Sequence, residues 1–245
     1  QESIGAHTGW LGDGPKWVCD PERIVEVVID RTKLYRKKWR KKNLQDVGCL
    51  IYSIGVNGQG IEFEYGIQTL LSNIAHQKYS KHDKDQRKYP FCEIHVFDPA
   101  SWHERLSEMP SGIHYHNWGI KGSASSKQNE ESQKGHIENE EKFKTFQETV
   151  EELGHVGRTL DIMKVDCKLC EWDTYPDYFA SSGIKYIHQL LIEVHGTPEQ
   201  YVNKFFDKMR EENYVIFHKD PNTQDFGGTC QDYSFLKLRP EFFEL

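Results

Sequence analysis

The chain has 245 residues, of which 37% are hydrophobic and 13% aromatic, and its formal net charge is −7. This length and composition exclude disorder of the whole chain and favour one globular domain over two small ones. The acidic balance excludes a general nucleic-acid binder, because neutralising phosphates requires a basic face. No apolar run approaches the roughly 20 residues that a membrane helix needs, so we predict no membrane span.

The first 20 residues are rich in glycine and tryptophan and predict an irregular arm, held down by Trp10 and Trp17. Asp20 and Pro21 then predict the start of a helix that runs to about Lys42. Its last turns carry six cations, which suit the negative end of a helix and a solvated surface. The alternative is a docking patch for an acidic partner, membrane headgroups or a sulfated polysaccharide. These cations are Arg36, Lys37, Lys38, Arg40, Lys41 and Lys42.

Seven apolar segments predict strands, and helical patterns separate most of them. The last two strands are joined by a connection too short for a crossover helix, so we expect them to pair antiparallel. The sequence therefore predicts an α/β fold, a Rossmann-like, mostly parallel seven-stranded sheet with an antiparallel C-terminal edge hairpin and helices on both faces. Residues 1–20 form the arm, residues 21–245 the domain, and residues 121–141 a surface loop. The predicted strands are Cys49–Ile54, Cys92–Phe97, Ile113–Trp118, Leu160–Val165, Tyr186–Val194, Tyr214–His218 and Tyr233–Leu238.

Polar residues follow three of these strands, at the edge where open α/β sheets bind ligands. After the first strand, the glycines between Ser53 and Gly60 allow a sharp turn and close approach to a ligand. This turn lacks the Lys and Ser/Thr of a phosphate-binding loop and the full spacing of a dinucleotide site, and by itself it also fits a tight connection. After the second strand, Asp98 could accept hydrogen bonds from ribose hydroxyls or cap a helix.

After the fourth strand, Asp166 is predicted to face the cleft, and Cys167 and Cys170 form a CxxC motif. A zinc site needs four ligands, and no second CxxC or HxxxH accompanies this motif. A redox CxxC usually follows the first strand rather than the fourth. We therefore predict no metal here, and expect each of these cysteines to have a distant partner or to be buried.

The chain contains six cysteines, an even number that permits three disulfides or six thiols. With Gln1 as a possible processed end, they favour a secreted or lumenal protein over a cytoplasmic one. The absence of an Asn-x-Ser/Thr sequon removes one feature that would strengthen this expectation. We expect disulfides rather than metal, with Cys19 paired to Cys49 because both precede the core of the first strand.

Several segments together resemble the FkbM-related methyltransferases, specifically a eukaryotic branch often found on the secretory route. The resemblance spans nearly the whole chain, and residues 160–172 are its most specific part because they are close to the family pattern L-D-x-x-K-x-D-x-E-G-x-E-W. The segments are WVCDPERI (17–24), GCLIYSIGVNGQGIEFE (48–64), CEIHVFDP (92–99), HNWGI (116–120), LDIMKVDCKLCEW (160–172), HQLLIEVHG (188–196), YVIFHKDPN (214–222) and CQDYSFLKL (230–238).

The resemblance implies an S-adenosylmethionine-dependent methyltransferase that acts on a hydroxyl of a small molecule or glycan. Methyl transfer requires chiefly that the protein align the acceptor and exclude water, and a base helps when the acceptor is a poor nucleophile. By position, the candidates for this base are Asp166, Glu171 and His195. The implied cofactor residues are Ser53, Gly55, Asn57 and Gly58 at the methionine part, Asp98 at the ribose, and Asn117 and Trp118 at the adenine.

One departure from the family pattern concerns its Glu-Gly pair, which is replaced here by Lys168 and Leu169. A carboxylate becomes a cation, and Leu at a position that needs positive φ is strained. Either the loop has adapted to another substrate or the site no longer catalyses. The second alternative predicts an inactive, extracellular or lumenal binding or assembly module. A third hypothesis is a nucleotide-sugar or dinucleotide enzyme on the same fold.

Overall fold

The computed structural model describes residues 2–4, 16–38, 48–56, 60–79, 91–99, 109–123, 142–180, 183–196, 199–222 and 230–243, with only the backbone of residues 2–4, 36–38, 79, 199 and 200. These residues form eleven strands and five α-helices. In chain order they are β1 (Glu2–Ile4), β2 (Lys16–Val18), α1 (Pro21–Lys38), β3 (Cys49–Ile54), α2 (Glu62–Tyr79), β4 (Cys92–Phe97), β5 (Ile113–His116), β6 (Gly119–Lys121), β7 (Phe143–Thr145), α3 (Phe146–Glu152), β8 (Leu160–Val165), α4 (Cys170–Phe179), β9 (Ile187–His195), α5 (Glu199–Glu211), β10 (Tyr214–Asn222) and β11 (Cys230–Lys237).

Seven strands form the main sheet, in the order β10-β11-β9-β8-β3-β4-β5. The neighbours from β9 to β5 pair in parallel, whereas β11 runs antiparallel to both β9 and β10. The predicted fold class and all seven predicted strands are confirmed. The final strand inserts second from the edge, so β10 and not β11 is the edge strand.

The chain leaves β3 towards β4 and β5 and then returns to β8 on the other side of β3. Strand order therefore reverses beside β3, and the carboxyl ends of β3, β4 and β8 meet there. In open α/β sheets, this reversal point is the place where ligands bind.

Helices cover both faces of the sheet and bury two apolar clusters. On one face, α1 and α2 pack on β3, β4 and β8 through residues such as Val25, Leu71 and Ile94. On the other face, α3, α4 and α5 contribute Phe146, Tyr178 and Phe205. β3 and β8 are buried along their whole lengths because they are covered on both sides. No helix in the described ranges has the length and apolarity of a membrane span.

The predicted start of α1 is confirmed, since Asp20 Oδ1 accepts a 3.0 Å hydrogen bond from the Arg23 backbone N–H. The described helix ends at Lys38, and the six cations of its last turns have no described side chains. The side chains of the predicted docking patch for an acidic partner thus lie outside the described part of the chain, and the patch stays a prediction. Most of the predicted loop, residues 124–141, also lies outside it.

The described parts of the N-terminal arm form the antiparallel pair β1 and β2 and not the predicted irregular segment. Trp10 lies outside the described residues, whereas Trp17 stacks on His218 with ring centroids 4.3 Å apart. In the Cys19 backbone, the N–H donates to Gln189 Oε1 and the carbonyl accepts from Gln189 Nε2. The arm is thereby attached to β9.

The predicted Cys19–Cys49 pair is wrong, because Cys49 forms a disulfide with Cys92. These two cysteines are the first residues of neighbouring parallel strands and lie directly opposite each other in the register. Cys19 is outside both disulfides of the described chain. The sequence contains a signal for this pairing that was missed: each of the two cysteines is the first residue of a predicted strand, and the two strands follow each other in the chain.

Candidate active site

The turn after β3 brings the ends of three strands into contact. The Gly55 N–H donates to the Phe97 carbonyl at the end of β4, and the Asp166 N–H donates to the Ile54 carbonyl, both at 2.8 Å. Gly55 has φ +77°, and a Cβ at this position would lie 1.9 Å from the Asp166 carbonyl oxygen. Only glycine fits this turn, which holds β3, β4 and β8 together at the reversal point.

Asp98 binds directly to the same turn. Its carboxylate Oδ2 accepts a 2.9 Å hydrogen bond from the Val56 backbone N–H, and the residue is 6% exposed. The glycine turn and the acid are thus brought together, as the sequence predicts. Asn57 and Gly58 lie outside the described residues, and the cofactor roles of all these residues stay predictions.

A cluster of buried polar side chains lies beneath the turn. Two of its residues, Glu64 and Lys164, were not predicted from the sequence. Ser53 is fully buried, and its hydroxyl donates to the Glu64 carboxylate on α2. Lys164 Nζ donates to the Gly55 carbonyl at 2.9 Å and lies 3.6 Å from Glu64 Oε1. Lys164 stands out in the sequence as a cation inside an apolar strand. The described contacts of Ser53 are those of a residue that supports the turn from below.

Asp166 lies in an ion-pair network with the N-terminal arm. Lys16 Nζ is 3.4 Å from Asp166 Oδ2 and 2.6 Å from Asp232 Oδ1, and Lys16 is 6% exposed. Burial alone raises the pKa of Asp166, but the charges of Lys16 and Lys164 outweigh it and hold the pKa well below its usual range. Asp166 is therefore ionised at neutral pH.

Glu193 on β9 has the opposite shift. Burial and the charge of Asp166 raise the pKa of Glu193 to about 8. Its Oε1 accepts a 2.7 Å hydrogen bond from Asn222 Nδ2. Two neighbouring carboxyl groups whose pKa values are pushed apart are typical of acid–base sites. Glu193 was not predicted as a site residue. Its position two residues before His195 on an apolar strand, which puts both side chains on one face of the sheet, was a usable signal.

Glu171 and His195 extend this network. Glu171 Oε1 accepts hydrogen bonds from the His195 backbone N–H at 2.7 Å and lies 3.1 Å from His195 Nδ1, and each residue is 1% exposed. His195 Nε2 lies 3.5 Å from Glu193 Oε2. Burial lowers the pKa of His195, but Glu171 and the other carboxylates outweigh this effect, so the net shift is upward. The three predicted base candidates, Asp166, Glu171 and His195, thus belong to one network that also contains Glu193.

The residues expected at the adenine follow β5. Asn117 is exposed, whereas Trp118 packs against His116 and Phe97, with ring centroids 4.5 and 6.0 Å away. Lys144 Nζ lies 3.9 Å from the centroid of the Trp118 ring. Tyr115 on the same strand donates a 2.9 Å hydrogen bond to the Asp98 carbonyl. This segment therefore borders Asp98, and its contact with adenine stays a prediction.

The loop between β8 and α4 has the strain expected from its sequence. Lys168 has φ +48° and Leu169 has φ +78°, both in the left-handed region that favours glycine. Cys167 and Cys170 form a disulfide with each other across these two residues, so the expectation of distant partners or buried thiols is wrong. The disulfide joins the two ends of the strained pair.

A mostly parallel sheet with this strand order, and with a glycine turn and an acid at neighbouring strand ends, is the fold of the S-adenosylmethionine-dependent methyltransferases. The family model described as a methyltransferase domain (Methyltransf_22) matches residues 3–237. The chain belongs to this family, whose members bind S-adenosylmethionine. The narrower FkbM relationship and the secretory branch stay predictions.

Among solved structures, the chain is similar to 1,6-didemethyltoxoflavin-N1-methyltransferase of Burkholderia thailandensis, with 9% identity, coverage of 91% of this chain and 92% of that chain, and a TM-score of 0.41. It is also similar to N-methyltransferase NodS of Bradyrhizobium japonicum, with 9% identity, 90% and 98% coverage and a TM-score of 0.39. Magnesium protoporphyrin IX methyltransferase of Synechocystis has 5% identity, 92% and 87% coverage and a TM-score of 0.36. These scores are low, so the family assignment rests on the family model. No curated protein matches the chain.

Proposed function

We propose that this chain binds S-adenosylmethionine at the carboxyl ends of β3 and β4 and transfers its methyl group to a hydroxyl of a small molecule or glycan. The observation that carries the proposal is the 2.9 Å hydrogen bond between the Val56 N–H and Asp98, which places a carboxylate directly on the glycine turn. Membership of the methyltransferase domain family supports the same reading.

The described residues fit this cofactor. The Asp98 carboxylate suits the vicinal hydroxyls of a ribose, because it can accept two hydrogen bonds. Beneath the turn, Glu64 is fully buried, and its Oε2 has no hydrogen-bond partner among the described residues. A buried carboxylate oxygen of this kind suits an ammonium group such as that of the methionine part.

S-adenosylmethionine supplies an activated methyl group on a sulfonium, so the protein must align the acceptor and take up its hydroxyl proton. Glu193 is the best-matched base in the network, since its pKa of about 8 lies near neutral pH. Asp166 is a weaker base because its pKa is held low. In this proposal the hydroxyl proton moves to the ionised form of Glu193, the minor form at neutral pH, while Glu171 orients His195 beside it.

A second candidate function, a non-catalytic binding module, is favoured by two observations. The Lys16 ammonium group lies between Asp166 and Asp232, in the region where an acceptor would have to approach Glu193. Glu171 and His195 are almost completely buried as well. Methyl transfer would then require the N-terminal arm to move away from Glu193. A binding module would not require this movement.

Calorimetry with S-adenosylhomocysteine tests the proposal in the wild type, Asp98→Asn and the control Asp30→Asn, whose carboxylate is exposed on α1. We expect the wild type and the control to bind equally. Asp98→Asn should weaken binding by roughly 10- to 100-fold, because a hydrogen bond to a charged group is worth about 1.5–3 kcal/mol. Methyl transfer from labelled S-adenosylmethionine to sugar or small-molecule hydroxyls then separates the active enzyme from the module.

Absence of binding of both S-adenosylmethionine and S-adenosylhomocysteine would contradict the enzyme assignment. Binding of NAD instead would select a dinucleotide enzyme on the same fold. Binding without transfer to any hydroxyl would favour the module.

We also propose a secreted or lumenal location. The disulfides Cys49–Cys92 and Cys167–Cys170 support it, because disulfides persist mainly in oxidising compartments. Fractionation of cells that express the natural gene tests this location, and recovery of the protein in the cytosolic fraction alone would contradict it.

A further inference from the structure

A cluster of histidines lies on the bodies of β4 and β5, apart from the Asp166–Glu193–His195 network. Glu93 and His95 alternate on β4, and His114 lies opposite His95 on the edge strand β5. His155, in the turn after α3, approaches the same group from the helix side, with its ring centroid 4.8 Å from that of His95. Three elements thus bring imidazoles to one carboxylate.

The distances within the cluster suit a shared metal ion. Oxygen and nitrogen ligand atoms of Glu93, His95 and His114 all lie within 4.8 Å of one another. Glu93 Oε1 is 3.1 Å from His95 Nε2 and 3.8 Å from His155 Nε2. Ligand atoms about 2.1 Å from a tetrahedral Zn²⁺ are separated by roughly 3.4 Å, so small side-chain adjustments bring these atoms into coordination.

The atoms that face away from the shared point also have partners. His95 Nδ1 lies 2.8 Å from His116 Nε2, and His155 Nδ1 lies 2.7 Å from the Tyr52 hydroxyl. Arg158 donates to the other oxygen of the Glu93 carboxylate at 2.8 Å. Metal-binding histidines commonly hold their second nitrogen in this way, which fixes the orientation of the ring.

We propose that Glu93, His95 and His114 bind one divalent transition-metal ion, and that His155, which lies beside Glu93 but outside this group of three, moves in as a fourth ligand. Imidazole nitrogens with one carboxylate suit Zn²⁺ and its first-row neighbours rather than Ca²⁺ or Mg²⁺, which prefer oxygen ligands. The exposed side of His114 provides an entry path. The ion joins the edge strand β5 to β4 and to the turn after α3, outside the region of proposed methyl transfer.

The alternative is a purely hydrogen-bonded cluster built around the Glu93–Arg158 ion pair. Titration of the EDTA-treated full chain with Zn²⁺ by calorimetry, and with Co²⁺ by visible absorption, distinguishes the two. The variants are His114→Gln and Glu93→Gln, and the control is His76→Gln, which replaces an exposed histidine on α2. His114 is exposed, so its variant is expected to fold, and circular dichroism checks this.

We expect one Zn²⁺ per chain in the wild type and the control, with ligand-field absorption bands of Co²⁺. His114→Gln and Glu93→Gln should each lower the affinity at least about 10-fold, the lower end of what loss of a supporting residue costs a metal site. Failure of the wild type to bind, or equal binding by His114→Gln, overturns the proposal. So does binding that Cys230→Ser abolishes and His114→Gln does not, because it places the ion at the other cluster, Glu193, His195 and Cys230.

Discussion

Lys16 donates a 2.6 Å hydrogen bond to Asp232, a residue 216 positions further along the chain, and the Lys16 side chain is only 6% exposed. The same ammonium group lies 3.4 Å from Asp166. The N-terminal arm therefore supplies the countercharge for two carboxylates at the candidate active site. Loss of Lys16 would therefore remove one cation from two carboxylates at once.

Replacement of Lys16 by Met tests this dependence. We expect the free energy of unfolding to fall by up to about 3–5 kcal/mol, since the substitution removes the cation of a buried ion pair with Asp166 and Asp232. Urea denaturation measures the change. Lys33→Met is the matched control, because its side chain is 63% exposed and its ion pair lies on the surface of α1, so it should change stability by less than about 0.5 kcal/mol. Equal stability of Lys16→Met and the wild type would show that the pair contributes nothing.

Replacement of Gly55 by Ala tests the turn at the reversal point. A new Cβ would combine positive φ with a 1.9 Å clash against the Asp166 carbonyl oxygen, so we expect a loss of roughly 3 kcal/mol or more. Gly154→Ala is the control, since Gly154 also has positive φ but no atom within 4 Å of an added Cβ. It should cost only the conformational strain, about 1–2 kcal/mol. If thermal denaturation showed the same loss of stability for both variants, this would argue against the close approach of Gly55 to the Asp166 carbonyl.

The pH dependence of stability tests the environment of Glu193. Its pKa is about 8 in the folded chain and near 4.5 when unfolded, so its contribution is fully present below 4.5 and is lost as pH rises through 8. Burial lowers the pKa values of His95, His116 and His188. These shifts make the folded state more stable as pH rises, but only up to about pH 6.5, where the unfolded histidines have lost their protons too. Between pH 6.5 and 8 the raised pKa of His195 acts in the same direction as that of Glu193, so only the difference from a Glu193 variant isolates the contribution of Glu193.

Within this window we expect the wild type to lose stability relative to Glu193→Gln as pH rises, by at most about 1.4 kcal/mol per pH unit. Urea denaturation at a series of pH values measures the difference, with Glu211→Gln on the exposed side of α5 as the control. Parallel curves for the wild type and Glu193→Gln would mean that Glu193 titrates near its ordinary pKa.

Alkylation under denaturing conditions without reductant tests the cysteine pairing. We expect Cys19 and Cys230 to be labelled and the four cysteines of the two disulfides to be protected. Peptide mass spectrometry locates the labels. Replacing both Cys49 and Cys92 by Ser should cost roughly 4 kcal/mol, because their 43-residue separation closes a long loop in the unfolded chain. Labelling of all six cysteines would contradict both pairings.

Local patterns predicted most of the fold. The bounds of β3, β4 and β8 agree with the predicted strands, because central parallel strands are continuous apolar runs that end abruptly at Gly or Asp. Prediction was less accurate towards the edge. β10 extends to Asn222 rather than His218, since residues of a strand exposed on one side need not be apolar.

The candidate site was predicted only where its residues follow strands directly. Gly55, Asp98 and Asp166 could be placed at one edge of the sheet because parallel strands end on the same side. Glu64 and Lys164 were missed, because a buried charge is explained only by the partner that compensates it, and that partner comes from a different element.

The amino-acid sequence by itself determined the seven strands of the main sheet, the start of α1, the glycine turn and the strained Lys168–Leu169 pair, because hydrophobic periodicity and backbone preference act between near neighbours in the chain. The tertiary structure alone decided that β11 inserts beside β9, that Cys49 pairs with Cys92, and that Lys16 lies against Asp166. These pairings depend on strand register and on the need to compensate buried charge. Both are settled only when distant segments pack together.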